Sequence, residues 1–148
     1  TQVGRTTAID EIGTDPHRYD VFNQEMADRF NSIGVGYTWK FKGYRRNTGY
    51  QNMLLDGVWA RAPYLHNGSV ANLKELLEAP ENRSKVFYRG YDVYDQVNVG
   101  FVTQGADAER EGFRYDTTLR GNSNAGHTYG TALTPAEKAA IIEYLKGR

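Results

Sequence analysis

A mainly α-helical domain interrupted by long irregular loops, with at most a short β-hairpin, is the architecture this sequence predicts. Three observations predict it. Helical periodicity with capping signals recurs in separate stretches. Sixteen glycines stand beside only four prolines, and eleven tyrosines supply contact area where no continuous apolar core can form. The predicted helices total about 45 residues, which leaves loops longer than the ~12–15 residues that are usual without a function or a ligand to wrap. At 148 residues the chain is sized for one domain.

The elements follow in chain order. Residues 1–19 lack periodicity and carry the turn signal Asp15-Pro16, so they read as an N-terminal arm laid on the body at 20–148. Phe22, Met26, Phe30 and Ile33 recur at helical spacing, with Asp20 expected as cap and Gly34 as stop. The next stretch mixes Tyr37, Trp39, Phe41 and Tyr44 with Lys40, Lys42, Arg45 and Arg46, and reads as a surface segment or short strand. Residues 53–60 predict one or two helical turns. Ser69 is the expected cap of a helix carrying Val70, Leu73, Leu76 and Leu77 that Pro80 stops. Val97, Val99 and Phe101 alternate as in a hairpin strand. Finally, Thr134-Pro135-Ala136-Glu137 is a capping box that opens a terminal helix with Ile141, Ile142 and Leu145 inward.

Composition excludes several functions. Eighteen Lys+Arg balance eighteen Asp+Glu, which argues against a strongly basic nucleic-acid binder. No run approaches the ~20 apolar residues of a membrane span. Thr1 opens on no charged-then-apolar leader, as expected of a mature, trimmed or partial chain. The absence of cysteine removes thiolate metal sites, Cys nucleophiles and covalent haem attachment by this chain itself. Gly-x-Ser-x-Gly, Walker and dinucleotide loops are missing, as are the histidine pairs of zinc peptidases. Three histidines remain. His17 lies in the arm, whereas His66 and His127 lie in Gly/Asn-rich loops ahead of a helix, where sites concentrate. Imidazole is a natural axial ligand of haem, and a buried porphyrin accounts for long aromatic loops.

Residues 55–73, with Trp59-Ala60-Arg61-Ala62-Pro63-Tyr64-Leu65-His66-Asn67-Gly68-Ser69 at their centre, closely resemble the C-terminal haem domain of the bacterial di-haem cytochrome c peroxidase superfamily. The tail, with Gly121-Asn122-Ser123-Asn124-Ala125-Gly126-His127, is similar to the rubber-oxygenase-like branch of di-haem c-type cytochromes. The resemblance implies a cytochrome c-like helical domain that binds haem c in a periplasmic or extracellular setting. His127 is then the distal ligand to the iron. His66, Arg61, Trp59, Tyr64 and Asn67 are then the residues around the cofactor. Because no Cys-x-x-Cys-His occurs, the covalent attachment is expected outside this chain, on the remainder of the same protein or on a partner chain. Asn67 stands where the peroxidases carry Asp. The implied role is electron transfer with a donor or acceptor protein, within a peroxidase-like or oxygenase-like oxidoreductase if the parent is an enzyme. The alternative is a haem-free extracellular binding or assembly module derived from the same fold.

Overall fold

The structure, a computed structural model, describes residues 4–148; the first three residues of the expected arm lie outside it. Among the described residues 32% are helical and 14% extended, so the fold is not mainly α. Six α-helices and three two-stranded antiparallel sheets share the chain instead. Strand β1 (Thr6–Ala8) pairs with β2 (Gly49–Gln51), β3 (Val86–Arg89) with β6 (Phe113–Asp116), and β4 (Tyr94–Asp95) with β5 (Gly100–Phe101). The expected hairpin is therefore one of three sheets. The other two join segments far apart in sequence, where short strands leave almost no local periodicity to read.

Helix α1 (Ile9–Ile12) lies within the stretch read as an arm and α2 (His17–Val21) crosses its boundary at residue 19; β1 ties the stretch into a sheet. Helix α3 spans Gln24–Ser32 and is capped by the Asn23 side chain, which accepts from the Met26 amide. Asp20 belongs to the separate α2, so the cap falls three residues later than expected. Only Ala27 of α3 is buried. Helix α4 (Leu73–Leu76) is a single turn capped by Asn72, not by Ser69. Ser69 is fully buried and donates to the Ser123 carbonyl instead (3.0 Å). Residues 53–60 yield only a 3-10 turn at Val58–Ala60. Helix α5 covers Ala106–Glu111, and α6 covers Pro135–Lys146. In α6 both halves of the Thr134–Glu137 capping box are formed, as the sequence predicts.

Two small cores hold these pieces. Tyr64, Val70, Leu73, Val99 and Ile142 form one; Ala71, Phe87 and Tyr115 form the other. Val70 and Ala71 are adjacent, so an extended backbone sends one side chain into each core and couples them. Burying so few large side chains leaves the assembly dependent on polar brackets between loops.

Candidate functional site

The larger core opens into a trough of about 660 Å³, within the size range of small-molecule and cofactor sites. Val58, Leu73, Leu76, Leu77, Ile141 and Leu145 give it an apolar wall. His66 and His127 reach the same trough from two different loops. Each carries a buried ring nitrogen without a hydrogen-bond partner, Nε2 of His66 and Nδ1 of His127. Buried polar atoms are nearly always paired, because an unpaired one forfeits its bonds to water. Two imidazole rings from separate loops on one apolar trough mark it as a place for a ligand.

The loop carrying His66 closes on itself. Tyr64 and Val70 exchange both backbone hydrogen bonds across its neck (2.7 and 3.3 Å), and the Gly68 amide donates to the Leu65 carbonyl. Leu65 sits in the left-handed region at φ 64°, an uncommon conformation for a bulky residue. The His66 ring stacks on Tyr50 with centroids 4.9 Å apart, and Arg18 donates to the His66 carbonyl at 2.7 Å. Burial lowers the His66 pKa from its ordinary value; Asp15 pulls the other way and Arg18 adds to the fall. His66 therefore stands as the neutral imidazole near pH 7.

His127 is held differently. Its own φ is 48°, the left-handed region again, and its amide donates to the Ile12 carbonyl at 2.8 Å. Preceding Gly126 crosses the backbone of residues 13–14 so closely that a Cβ would lie 2.3 Å from the Gly13 carbonyl carbon. Only glycine fits there. The ring meets Tyr129 edge to face, and burial again lowers the pKa. Neighbouring Asn122 and Asn124 do not bond the ring. Their side-chain amides donate to the carbonyls of Asp116 and Ser84. Non-glycine residues at positive φ cost on the order of 1 kcal/mol each and cluster where function needs them. Two of the three among the described residues, Leu65 and His127, sit on the trough.

The other predicted residues divide. Arg61 lines the trough while its guanidinium donates to the carbonyls of Leu54 and Asp56. Tyr64 lines it with its ring; the hydroxyl donates to the Val58 carbonyl, and burial raises its pKa. Trp59 is not among the lining residues. Its indole N–H donates to the Arg148 carbonyl, fastening the end of α6. Asn67 also turns away from the trough. Its Nδ2 donates to the carbonyls of Gly121 and Ser123 (3.1 and 3.0 Å), and its Oδ1 accepts from the Ser69 amide. That explains why an amide stands here: a carboxylate would face two carbonyl oxygens with no proton to give. His17 lies in a separate polar hollow with Asp15, Asp20 and Arg120, packed against Gly121.

Sequence reasoning missed Arg83. Its side chain is 2% exposed and its five N–H groups all reach backbone carbonyls, those of Glu78, Asn124, Gly126, Leu76 and His127. Burial lowers its pKa, with Glu75 and Glu81 opposing. Nothing local distinguishes it from the other seventeen Lys and Arg residues.

Among the described residues no three His, Asp or Glu side chains converge as a cage for a free metal ion. An axial position on a porphyrin asks for one imidazole only, and an apolar trough with two imidazole rings and an arginine in its lining fits that demand.

Comparison with known proteins points the same way. Residues 49–88 match the family described as RoxA-like, cytochrome c-like. This segment holds β2, the His66 loop, α4 and Arg83; His127 lies outside it. The chain is 42% identical over 113 residues to the uncharacterized protein y4iJ of Sinorhizobium fredii (strain NBRC 101917 / NGR234), covering 70% of this chain and 18% of that protein. Over 85 residues it is 44% identical to the uncharacterized protein y4iM of the same strain, covering 53% of this chain and 19% of that one. The chain thus spans about a fifth of the length of the curated relatives it matches. A cytochrome c-like segment with a haem-binding character is what this match supports.

Proposed function

We propose that this chain is the haem-facing part of a c-type cytochrome of the di-haem peroxidase and rubber-oxygenase kind, and that His127 supplies the distal axial imidazole. The observation that carries the reading is that two imidazole rings, from separate loops, line one apolar trough. A haem c, attached to protein outside these residues, would supply one-electron iron chemistry when bound there. The chain's own part is to bind and orient it. Leu73, Leu76, Ile141 and Leu145 exclude water from the porphyrin faces, and Arg61 offers a cation to its carboxylates. The low basicity of His127 keeps its lone pair free of a proton at neutral pH, which is the form that binds iron. His66, neutral and lining the same trough, is suited to stand at the cofactor's edge. A haem held by His127 would supply one-electron transfer, so the proposed role is electron transfer to a partner redox centre. Haem c attachment implies an oxidising, periplasmic or extracellular compartment. No helix among the described residues is long and apolar enough to cross a membrane.

The test uses the full-length protein. His127→Ala is expected to convert its haem from low-spin to high-spin while His66→Ala stays low-spin; an unaltered low-spin spectrum in His127→Ala rejects the ligand assignment. A second reading, a haem-free binding module, draws on the exposed aromatic residues at 35–44. A pyridine haemochrome spectrum of the native protein separates the two, and absence of haem iron selects the second.

A further inference from the structure

Arg83 is a buried cation with no carboxylate in ion-pair contact among the described residues. Every one of its N–H groups is spent on a carbonyl. This is an unusual way to bury charge. Removing a guanidinium from water is costly, and carbonyl dipoles solvate it without neutralising it. Three of the five carbonyls belong to the loop that presents His127, those of Asn124, Gly126 and His127 itself, at 2.6, 2.9 and 3.0 Å. The other two belong to Leu76 and Glu78, at the end of the helix whose leucines wall the trough. Only a planar fork with five donors can serve both sets of carbonyls at once; a lysine has three donors on one atom. The loop needs such an anchor, because His127 holds a left-handed backbone that its own side chain disfavours.

We infer that Arg83 is the positioning residue of the His127 loop, fixing the imidazole against the trough, and that its positive charge raises the reduction potential of an iron held by that imidazole. The inference rests on the haem reading above. Its physical content is twofold. The hydrogen-bond fan sets where the imidazole stands, and the positive charge nearby disfavours the more positive, oxidised iron. These two effects separate by substitution. Arg83→Lys keeps the charge and loses the fan, whereas Arg83→Gln loses the charge.

In the full-length haem protein, Arg83→Lys is expected to lose most of its low-spin fraction at 25 °C and to regain it on addition of free imidazole, with a potential close to wild type once rescued. Arg83→Gln is expected to need the same rescue and to remain at a lower potential after it. Both variants staying fully low-spin, or both rescued at the wild-type potential, overturns the positioning role or the charge effect respectively. A control distinguishes failure of the premise: if His127→Ala stays low-spin, the ligand assignment falls, whatever Arg83 does. Should neither variant fold, hydrogen exchange on the wild-type protein decides. The Arg83 guanidinium protons are expected to be strongly protected, and exchange at the rate of surface arginines would overturn the proposal.

Discussion

Two regions of this chain are built from the same kinds of residue and end in opposite states. Residues 63–69 and 121–127, with Arg83 between them, are locked. Asn67, Ser69, Asp15 and Arg83 together hold the carbonyls or amides of 121–127, and glycine lets backbones cross at Gly126. Residues 35–44 are open. Val35, Tyr37, Trp39, Phe41 and Tyr44 are all exposed, Tyr37 to 68%, and touch mainly one another in a chain of ring contacts. Both regions hold glycines, aromatics and cations. What separates them is the count of long-range polar bonds. A loop becomes a site when its carbonyls are claimed from elsewhere in the chain, since ordering it otherwise costs ~1–2 kcal/mol per residue with nothing to offset it.

The locked region is the more fragile to substitution, and four changes sharpen the contrast. The largest effect is expected from Gly126→Ala. A Cβ 2.3 Å from Gly13 and 2.4 Å from the Thr14 nitrogen meets backbone on a residue at φ 74°, so the crossing must open. A loss on the order of 4 kcal/mol is expected, measured as a fall in the urea midpoint of the full-length protein; a midpoint within error of wild type would show that the crossing is not tight.

Next is Asn67→Asp, which replaces a donor by a carboxylate facing the Gly121 and Ser123 carbonyls. About 2–3 kcal/mol is expected to be lost at pH 7. The sign with pH follows from the environment. The fold disfavours the ionised acid, so its folded pKa lies above the unfolded ~3.9 and part of the loss is recovered as pH falls toward that value. Stability of Asn67→Asp that worsens relative to wild type on acidification contradicts the bracket.

Smaller again is the acid response of the wild type. Burial lowers the pKa of His66 and of His127, so the unfolded chain takes up these protons first as pH drops below ~6.5. Stability is expected to decline from pH 7 toward pH 5, and His66→Gln should flatten that slope by one proton's share. An identical slope in the variant would show that His66 does not titrate with folding.

The smallest effect is expected in the open region. Trp39→Ser or Phe41→Ser should move stability by no more than about 0.5 kcal/mol, as exposed side chains do. A loss above ~1.5 kcal/mol in thermal unfolding would mean the segment is packed after all, and the contrast between the two regions would break.

How much of this was legible beforehand depends on how far each signal travels along the chain. The start of the terminal helix is readable to the residue, because the Thr134–Glu137 box is a matter of four adjacent positions. The loops bearing His66 and His127 were recognisable by their own glycines and asparagines, and both rings do meet one trough. The cap of α3 was misplaced by three residues because Asp20 and Asn23 are both competent caps, and only the break at Phe22 chooses between them. The resemblance places Asn67 around the cofactor, yet its amide turns to the carbonyls of the opposite loop.

By itself, then, the sequence determined the local grammar of this protein: the capping box that opens the terminal helix, and which imidazoles are available. Tertiary structure alone decided that β3 would pair with β6, that Asn67 would be a bracket, and that Arg83 would surrender all its donors to carbonyls. The reason is that capping and turn energies act over a few residues, whereas the burial of a polar group is settled by partners ~40 or more positions away, which no local pattern announces.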